Sequence, residues 1–181
     1  MRLVLPDVGP FELVTDRGVF SAGGIDAGTM VLLRKMPPPP EEGLLLDLGC
    51  GYGPVALALA ARSPAATVWA IDVNERALAL TSENARSAGL TNVIVAAPQD
   101  VPEPVRFAAI YSNPPIRIGK AVLHDLLLRW IGRLEPAGSA WFVVQRNLGS
   151  DSLARWLVEQ GLHTNRRASS RGYRLLEVRR R

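Results

Sequence analysis

Residues 43–54 read GLLLDLGCGYGP, a short apolar run followed by glycines at every second position. The leucines suit a strand that is buried on both faces of a parallel sheet. Glycine tolerates positive φ and lets a ligand approach the backbone without meeting a Cβ atom, so Gly49, Gly51 and Gly53 indicate a nucleotide-type loop. Pro54 suits the first turn of the following helix, where no amide donor is needed.

Two aspartates frame this loop and narrow the choice of ligand. Asp47 precedes the glycines, and Asp72 follows residues 67–71, which read TVWAI. A carboxylate at the end of the second strand can accept both hydroxyls of a ribose, and its position about 20 residues downstream also fits the dinucleotide fingerprint. Asp47 would repel a pyrophosphate, whereas it would attract the ammonium of S-adenosylmethionine directly or through water. The pair therefore favours S-adenosylmethionine over a nicotinamide dinucleotide.

Composition indicates one globular domain. The chain has 181 residues, of which 48% are hydrophobic and 21% charged, enough for a sizeable core. We expect a single domain over residues 1–181, with a lead-in of a hairpin and a helix over 1–36 and the catalytic sheet over 43–181. No apolar run approaches membrane-spanning length, and an early acid and proline do not suit a secretory leader. We therefore expect a cytoplasmic protein without membrane contact.

The few cysteines and histidines exclude two further classes of protein. Cys50 alone cannot form an internal disulfide framework, and His124 and His163 are too few for a metal-ligand cluster. We therefore predict no metal site. His124 lies off the apolar stripe of its predicted helix, which favours a surface position.

Strands and helices are predicted to alternate along most of the chain. The predicted helices cover residues 26–36, 54–61, 75–88, 121–134 and 153–160. The predicted strands cover residues 44–48, 67–72, 92–97, 107–112 and 139–145, with hairpins at 11–20 and 163–179. This alternation is typical of an α/β fold with a doubly wound sheet, whose ligands bind at the carboxyl ends of the strands.

Asn113-Pro114-Pro115 follows the predicted strand 107–112 and is the second informative motif. The prolines fix the backbone and lack amide donors, so neighbouring carbonyls would project unpaired into the site. If the Asn113 side-chain oxygen and the Pro114 carbonyl each accept one N–H of an exocyclic amine, the nitrogen lone pair is held toward an incoming methyl group. No strong base is needed, because the proton can depart after methyl transfer. We therefore expect these three residues to be catalytic.

Four segments together resemble one known family. They are DLGCGYG at 47–53, IDVN at 71–74, SNPPIRIGK at 112–120 and VQRNLGS at 144–150. They resemble the methyltransferase small domain of class I S-adenosylmethionine-dependent methyltransferases, and within it the small-subunit ribosomal RNA guanine-N2 methyltransferase C group. Because TDRGVFS at 15–21 and IDAGT at 25–29 look like the lead-in of that group, the similarity covers nearly the whole chain.

The resemblance implies a Rossmann-like, mostly parallel seven-stranded sheet with a C-terminal antiparallel hairpin, and S-adenosylmethionine as methyl donor. It also implies methylation of the exocyclic N2 amine of a guanine, with small-subunit ribosomal RNA or the ribosomal subunit as partner. The cofactor contacts expected by position are Asp47, Gly49, Cys50, Gly51, Gly53, Asp72, Val73, Asn74, Asp100 and Asn113. The contacts expected with the target base and RNA are Ile116, Arg117, Lys120 and Arg146.

The chain departs from that family's pattern in several places. Many relatives carry an aromatic residue directly after Asn-Pro-Pro, where this chain has Ile116, so base stacking must come from elsewhere or be weaker. Residues 107–110 read FAAI where Phe-Asp-x-Ile is common, and Asp100 only roughly matches the acid expected near the adenine. Larger bacterial relatives carry a second, degenerate methyltransferase-like domain ahead of this one, and we expect this protein to act without it.

Positive charge is concentrated near the C-terminus. Residues 161–181 hold seven arginines and one glutamate, a net charge of +6, so the preceding residues sum to −2. Guanidinium groups suit phosphate, which favours RNA contact by the closing hairpin. A solvated terminal strand is the other interpretation, since the chain has 19 arginines and only two lysines. If the hairpin binds RNA, neutralising Arg166 and Arg167 should flatten the salt dependence of binding.

Three other functions stay open. An N-methyltransferase acting on adenine N6 or on a protein glutamine would share Asn-Pro-Pro, although those motifs usually end in Tyr or Phe. A non-catalytic RNA-binding relative would keep the fold alone, and the intact Asp47, Gly49, Gly51, Asp72 and Asn113 argue against it. A nicotinamide-dependent oxidoreductase would use the same loop, but no downstream Tyr-Lys pair or catalytic His with an Arg partner is apparent.

Overall fold

The computed structural model describes residues 1–17, 19 and 23–181. The chain begins with a small antiparallel strand pair, β1 (Arg2–Leu3) and β2 (Phe11–Glu12). Helix α1 (Ala27–Lys35) follows, and Asp26 caps its first turn as the sequence predicts. Residues 1–36 are called the lead-in below.

The predicted hairpin over residues 11–20 is wrong in its pairing. Phe11 pairs with Leu3 near the N-terminus. Beyond it, the amide and the carbonyl of Val14 are both bonded to the side chain of Asn84, so they are not available to a returning strand. Gly18 and Phe20, which belong to the predicted hairpin, lie outside the described residues.

A seven-stranded, mostly parallel sheet follows the lead-in. Its strands are β3 (Glu42–Leu48), β4 (Ala65–Ile71), β5 (Val93–Ala96), β6 (Phe107–Ser112), β7 (Leu134–Gln145), β8 (His163–Ser170) and β9 (Tyr173–Arg179). The spatial order is β5-β4-β3-β6-β7-β9-β8, and β9 runs antiparallel to both β7 and β8. The predicted doubly wound sheet with a C-terminal antiparallel hairpin is confirmed.

Four helices alternate with these strands. They are α2 (Pro54–Arg62), α3 (Glu75–Ser87), α4 (Lys120–Ile131) and α5 (Ser150–Glu159). The predicted helix 121–134 is too long, because the chain turns at Gly132 and Leu134 already pairs with Phe107 as the first residue of β7. Within the described ranges, no helix is long and apolar enough to cross a membrane.

Helices cover both faces of the sheet, which explains the continuous apolar run in β3. On one face, Leu45 packs in a core with α1, α2 and α3. On the other face, Leu46 and Leu48 pack with α4 and α5. Leu3 and Leu13 of the lead-in are buried in the first of these cores. The lead-in therefore packs on the face that carries α1, α2 and α3.

The sheet order places a crevice beside β3. After β3 the chain adds β4 and β5 on one side, then crosses to add β6 and β7 on the other. Ligands of doubly wound sheets bind at such a reversal, outside the carboxyl ends of the strands. The Ser112 hydroxyl donates to the Leu48 carbonyl at 2.6 Å, which joins the ends of β6 and β3. The two sequence motifs that follow these strands therefore lie at the same edge.

Candidate cofactor and substrate site

The turn after β3 has a backbone that requires glycine. Gly49, Gly51 and Gly53 have φ values of 77°, 58° and 94°. A Cβ atom on Gly53 would lie 3.0 Å from side-chain atoms of both Leu57 and Thr81, so the turn packs tightly on its helix side. A Cβ on Gly49 would meet nothing within 4 Å. The turn is therefore close-packed toward α2 and α3 and open on its other side.

Backbone amides of this turn are already used within the protein. The Gly49 and Cys50 amides both donate to the Ile71 carbonyl at 2.9 Å, and the Gly51 amide donates to Asp72 Oδ2 at 3.0 Å. A pyrophosphate site needs free N–H donors that point at the anion. With these three donors occupied and a carboxylate among the partners, the turn is poorly suited to a dinucleotide.

Asp47 lies beneath the turn. Its side chain is 2% exposed, and its Oδ2 accepts from the Ala56 amide in the first turn of α2 at 2.9 Å. Burial raises the pKa of Asp47 to about 8, and the nearby charge of Asp72 adds to the effect, although the Ala56 amide opposes it. A carboxyl that is largely protonated near neutral pH attracts an ammonium weakly, until the positive charge of the ligand itself lowers the pKa.

Asp72 and Val73 form the open wall of the turn. Asp72 is half-buried, and its two oxygens accept from the amides of Gly51 and Asn74 at 3.0 and 2.9 Å, which fixes the carboxylate at the end of β4. The side chain of Val73 is 85% exposed beside the turn, which makes it the most exposed of the large hydrophobic residues among those that the structure describes. Asn74 caps α3 through the Arg76 amide. A ligand can therefore cover Val73 with a flat apolar group while a neighbouring polar group of the same ligand binds Asp72.

Two buried polar residues of α3, neither of them predicted from sequence as part of the site, hold the turn in place. Thr81 donates to the Gly51 carbonyl at 2.9 Å. Asn84 donates to the Tyr52 carbonyl at 2.8 Å and also binds the backbone of Val14 in the lead-in. Polar residues three apart on the otherwise apolar stripe of an amphipathic helix were the available signal.

Asn113 lies half-buried at the end of β6. Its side-chain Nδ2 donates to Asp26 Oδ2 at 2.7 Å and to Thr29 Oγ1 at 3.2 Å. Both partners belong to the first turn of α1, and the sequence analysis gave Asp26 no role beyond starting that helix. The contact brings the lead-in to the site.

The proline turn differs in one respect from its prediction. The Pro114 carbonyl, expected to project unpaired, accepts from the Ile116 amide at 2.9 Å, and the Pro115 carbonyl accepts from Ile118 at 3.2 Å. The reason is that the chain tightens into a 3-10 turn over Ile116–Ile118, whose amides point back at the prolines. A carbonyl oxygen has two lone pairs, so Pro114 retains acceptor capacity.

A cavity of about 210 Å³ lies beyond this turn, between α4 and α5. Its lining includes Ile116, Lys120, His124 and Trp156. The ring of His124 stacks on that of Trp156 with centroids 3.5 Å apart and planes 11° apart. His124 is therefore half-buried against an aromatic partner, rather than fully exposed on the surface of its helix.

Several cations were expected to contact RNA, and the structure separates them into two groups. Arg117, Lys120 and Arg146 are exposed at the carboxyl edge. In the closing hairpin, however, Arg167 and Arg179 both pair with the buried Glu177, at 3.3 and 2.7 Å. Further, Arg174 pairs with Asp151, and Arg180 donates to the Leu134 carbonyl at 3.0 Å. Much of the C-terminal arginine cluster therefore serves the fold.

The two remaining cofactor candidates lie at the same edge in different surroundings. Asp100 is exposed in the turn after β5, where its amide donates to the Ala97 carbonyl at 3.0 Å. Cys50 is buried, and its burial raises the pKa of the thiol well above its usual value. Cys50 can thus contribute its backbone to the turn, while its sulfur is an inert packing group.

Comparison with known proteins agrees with this geometry. The family model of the methyltransferase small domain matches residues 10–177. The uncharacterized protein YbxB of Bacillus subtilis is 40% identical over 152 residues, which cover 82% of this chain and 76% of the relative. Ribosomal RNA small subunit methyltransferase C of Shewanella amazonensis is 32% identical over 85% of this chain and 46% of the relative. The chain thus spans about half the length of that relative.

Solved structures share the fold. The 16S rRNA N2 methyltransferase RsmC of Thermus thermophilus, solved in complex with AdoMet and guanosine, aligns with a TM-score of 0.82 at 23% identity, over 100% of this chain and 50% of that one. A ribosomal protein L11 methylase from Lactobacillus delbrueckii aligns with a TM-score of 0.71 at 20% identity, over 92% of this chain and 84% of that one. The structures share the fold, and the family model, which matches residues 10–177, identifies this chain as a member of the methyltransferase small domain family.

Proposed function

We propose that this chain is an S-adenosylmethionine-dependent N-methyltransferase that acts on the exocyclic N2 amine of a guanine in small-subunit ribosomal RNA. Family membership supports S-adenosylmethionine as the methyl donor. The observation that carries the choice of an amine is the side chain of Asn113, whose nitrogen is bound by α1 while its oxygen is left as an acceptor. Relatives named ribosomal RNA small subunit methyltransferase C support RNA as the substrate.

The chain's residues fit the donor at the glycine turn. Asp72 would accept the ribose hydroxyls, and the exposed Val73 would be covered by the adenine. Asp47 would face the ammonium of the methionine part across the turn, directly or through water, and Gly49 leaves the room that this part needs. When bound, the donor supplies an electrophilic methyl group on a positively charged sulfur.

Asn113 and Pro114 would hold the accepting amine. The Asn113 oxygen accepts one N–H and the second lone pair of the Pro114 carbonyl accepts the other, so the nitrogen lone pair points at the methyl group. As the C–N bond forms, the C–S bond breaks and its electron pair stays on the sulfur. The extra proton on nitrogen then leaves to water, so the site needs no strong base. Both acceptors stabilise the positive charge that develops on the nitrogen.

The RNA would lie over the cavity between α4 and α5. Its stacked His124–Trp156 pair offers aromatic surface near Ile116, where the family usually has an aromatic residue. Base stacking on such a surface is typically worth about 1–3 kcal/mol. Arg117, Lys120 and Arg146 are exposed at the same edge and would neutralise phosphates. This arrangement supports a nucleic acid rather than a protein substrate.

Calorimetric titration with S-adenosylmethionine, and separately with NADH, tests the donor. We expect the wild type to bind S-adenosylmethionine alone, and Asp72→Ala to lose this binding because the ribose partner is gone. Asp125→Ala, which removes an exposed carboxylate from α4, is the matched control and should bind like the wild type. Binding of NADH instead would refute a methyltransferase role.

Methyl transfer from tritiated donor tests the substrate. Deproteinised small-subunit ribosomal RNA and assembled small subunits are each incubated with wild type and with Asn113→Ala. The digested nucleosides are then separated by chromatography against methylated standards, because positional isomers of methylguanosine share one mass. The proposal predicts abundant N2-methylguanosine from the wild type and far less from Asn113→Ala. Label in N6-methyladenosine or in ribosomal protein would transfer the assignment to another amine. Donor binding without transfer to any of these would favour an RNA-binding relative.

A further inference from the structure

The sequence IDAGT at residues 25–29 has no part in the chemistry described so far. It begins α1, more than eighty residues before the proline turn, and Asp26 is the N-cap of that helix. Asp26 Oδ2 accepts from the Thr29 amide at 3.0 Å, which is the usual hydrogen bond of an N-cap residue. The same oxygen also accepts from Asn113. One carboxylate thus joins the helix start to the proposed catalytic residue.

The side-chain nitrogen of Asn113 is fully used by this contact. An asparagine Nδ2 carries two hydrogens. Its two acceptors are Asp26 Oδ2 at 2.7 Å and Thr29 Oγ1 at 3.2 Å. No donor capacity of this side chain is left for a substrate, and its oxygen is left as the group that can bind one.

The charge of Asp26 decides which way the amide points. A carboxylate can only accept hydrogen bonds. If the Asn113 amide were turned over, its oxygen would lie at about the present nitrogen position, 2.7 Å from Asp26 Oδ2, and two acceptors would face each other. This repulsion excludes the reversed amide. A neutral cap residue without reach to Asn113 would not exclude it.

Tight packing holds the cap itself in place. A Cβ atom on Gly28 would lie 2.8 Å from the ring of Tyr173 and 2.9 Å from Asp26 Oδ2, so the first turn of α1 leaves no free space there. Thr29 is 7% exposed, and the following turn of α1 is buried in the core. The two acceptors therefore cannot drift away from Asn113.

We propose that Asp26 and Thr29 are positioning residues that fix the amide of Asn113, so that its oxygen accepts an N–H of the substrate amine. The assignment of this oxygen to catalysis rests on the proposed function, whereas the fixed amide is a property of the protein alone. IDAGT thereby acquires a role, because Asp26 sets the orientation, Gly28 admits Tyr173 and Thr29 supplies the second acceptor. A substrate that offers no N–H would gain nothing from this arrangement.

Side-chain hydrogen exchange tests the fixed amide without any substrate. In labelled wild-type protein, the Asn113 amide protons, assigned by their absence in Asn113→Ala, should exchange slowly. Asp26→Ser keeps a good helix cap but is too short to reach Asn113, and Thr29→Val removes the second acceptor at equal volume. Asp26→Ser should speed exchange at least about tenfold, as loss of a hydrogen bond worth about 1.5–3 kcal/mol to a charged group implies. Thr29→Val loses a neutral hydrogen bond worth about 0.5–1.5 kcal/mol and should speed exchange roughly two- to tenfold. Unchanged exchange in Asp26→Ser would overturn the proposal.

Methyl-transfer kinetics on small-subunit ribosomal RNA test the consequence. Asp26→Ser should lower kcat about 10- to 100-fold through misplacement of one acceptor, with the dissociation constant of S-adenosylmethionine unchanged. Thr29→Ser should restore what Thr29→Val loses. In an Asn113→Ala background, Asp26→Ser should have no further effect, since the residue that it positions is gone. An undiminished effect in that background would show a purely structural role.

The control is Asp7→Ser, the same substitution at another aspartate of the lead-in. Asp7 pairs with Arg62 at the C-terminal end of α2, at the opposite edge of the sheet, so this variant should keep the wild-type kcat. If the wild type transfers no methyl group to ribosomal RNA, the proposed function fails, whereas the exchange measurement still decides whether Asp26 and Thr29 fix the amide.

Discussion

Replacing Asp47 by asparagine should stabilise this protein at high pH. The pKa of Asp47 is raised from 3.8 to about 8, mainly because the folded protein buries the carboxyl completely. Below pH 4 both folded and unfolded chains hold the proton. As the pH rises toward 8, the unfolded chain ionises and the folded one does not, so the unfolding constant grows tenfold per pH unit. The free energy of unfolding is therefore lowered most by this buried carboxyl at alkaline pH.

The size of the effect follows from the two pKa values. Over the full window from about pH 4 to about pH 8, the free energy of unfolding should fall by on the order of 5 kcal/mol on account of Asp47. Asparagine does not ionise, yet its side-chain oxygen can still accept from the Ala56 amide. Asp47→Asn should therefore match the wild type near pH 4.5 and exceed its stability by several kcal/mol at pH 8.5.

Urea unfolding followed by tryptophan fluorescence at pH 4.5, 6, 7.5 and 8.5 measures this difference. Asp7→Asn is the control, because the Arg62 hydrogen bond lowers the pKa of Asp7, so its stabilising contribution is present at all four pH values and this variant's curve should run parallel to that of the wild type. That contribution is present above the unfolded pKa of Asp7 and is lost as the pH falls through its folded value. Parallel stability curves for the wild type and Asp47→Asn would refute a buried, proton-holding Asp47.

Two further pairs of substitutions test other parts of the structure. Gly53→Ala forces an L-residue to φ 94° and places its Cβ 3.0 Å from Leu57 and Thr81. The free energy of unfolding, measured by urea titration, should therefore fall by about 1–3 kcal/mol. The control Gly89→Ala has a positive φ but open space around the new Cβ, so it should lower the free energy of unfolding by less. Arg166→Gln and Arg167→Gln should have different effects, because Arg167 pairs with the buried Glu177 whereas Arg166 is exposed. Arg167→Gln should lower the melting temperature. Arg166→Gln alone should reduce RNA binding, measured by salt titration, without loss of stability. Equal effects of the two arginines would contradict this division.

Local patterns in the chain were sufficient for most of the fold. The leucines of β3 predict a buried strand, and the glycines with Pro54 predict the turn and the start of α2, because φ preferences and missing donors act on neighbouring residues. The alternation of strand-like and helix-like hydrophobic patterns along the chain predicts the doubly wound sheet. The prediction of elements failed at Leu134 and in the 11–20 hairpin. At each place an apolar residue suited more than one element or pairing, and contacts made elsewhere in the fold decided the outcome.

The candidate site was predictable in place and less so in its contacts. Asp72 and Asn113 were found because each directly follows a predicted strand, and the carboxyl ends of parallel strands meet at one edge. The position of Asp26 in the site was not predicted, since nothing in its immediate neighbours distinguishes a helix cap that has a second, distant partner. Thr81 was missed although it lies on the apolar stripe of α3, because its partner is thirty residues away. The internal pairing of Arg167 and Arg174 was hidden for the same reason.

The sequence by itself therefore determined the order of elements, the glycine turn and the proline turn, because these depend on interactions within a few residues. Only the tertiary structure decided that Asp47 is buried and holds its proton, that α1 fixes the amide of Asn113, and which arginines are free for a partner. Each of these depends on groups that are far apart in the chain and meet only when both faces of the sheet are covered. Burial and hydrogen-bond partners, rather than residue type, then set the charge and the orientation of the site.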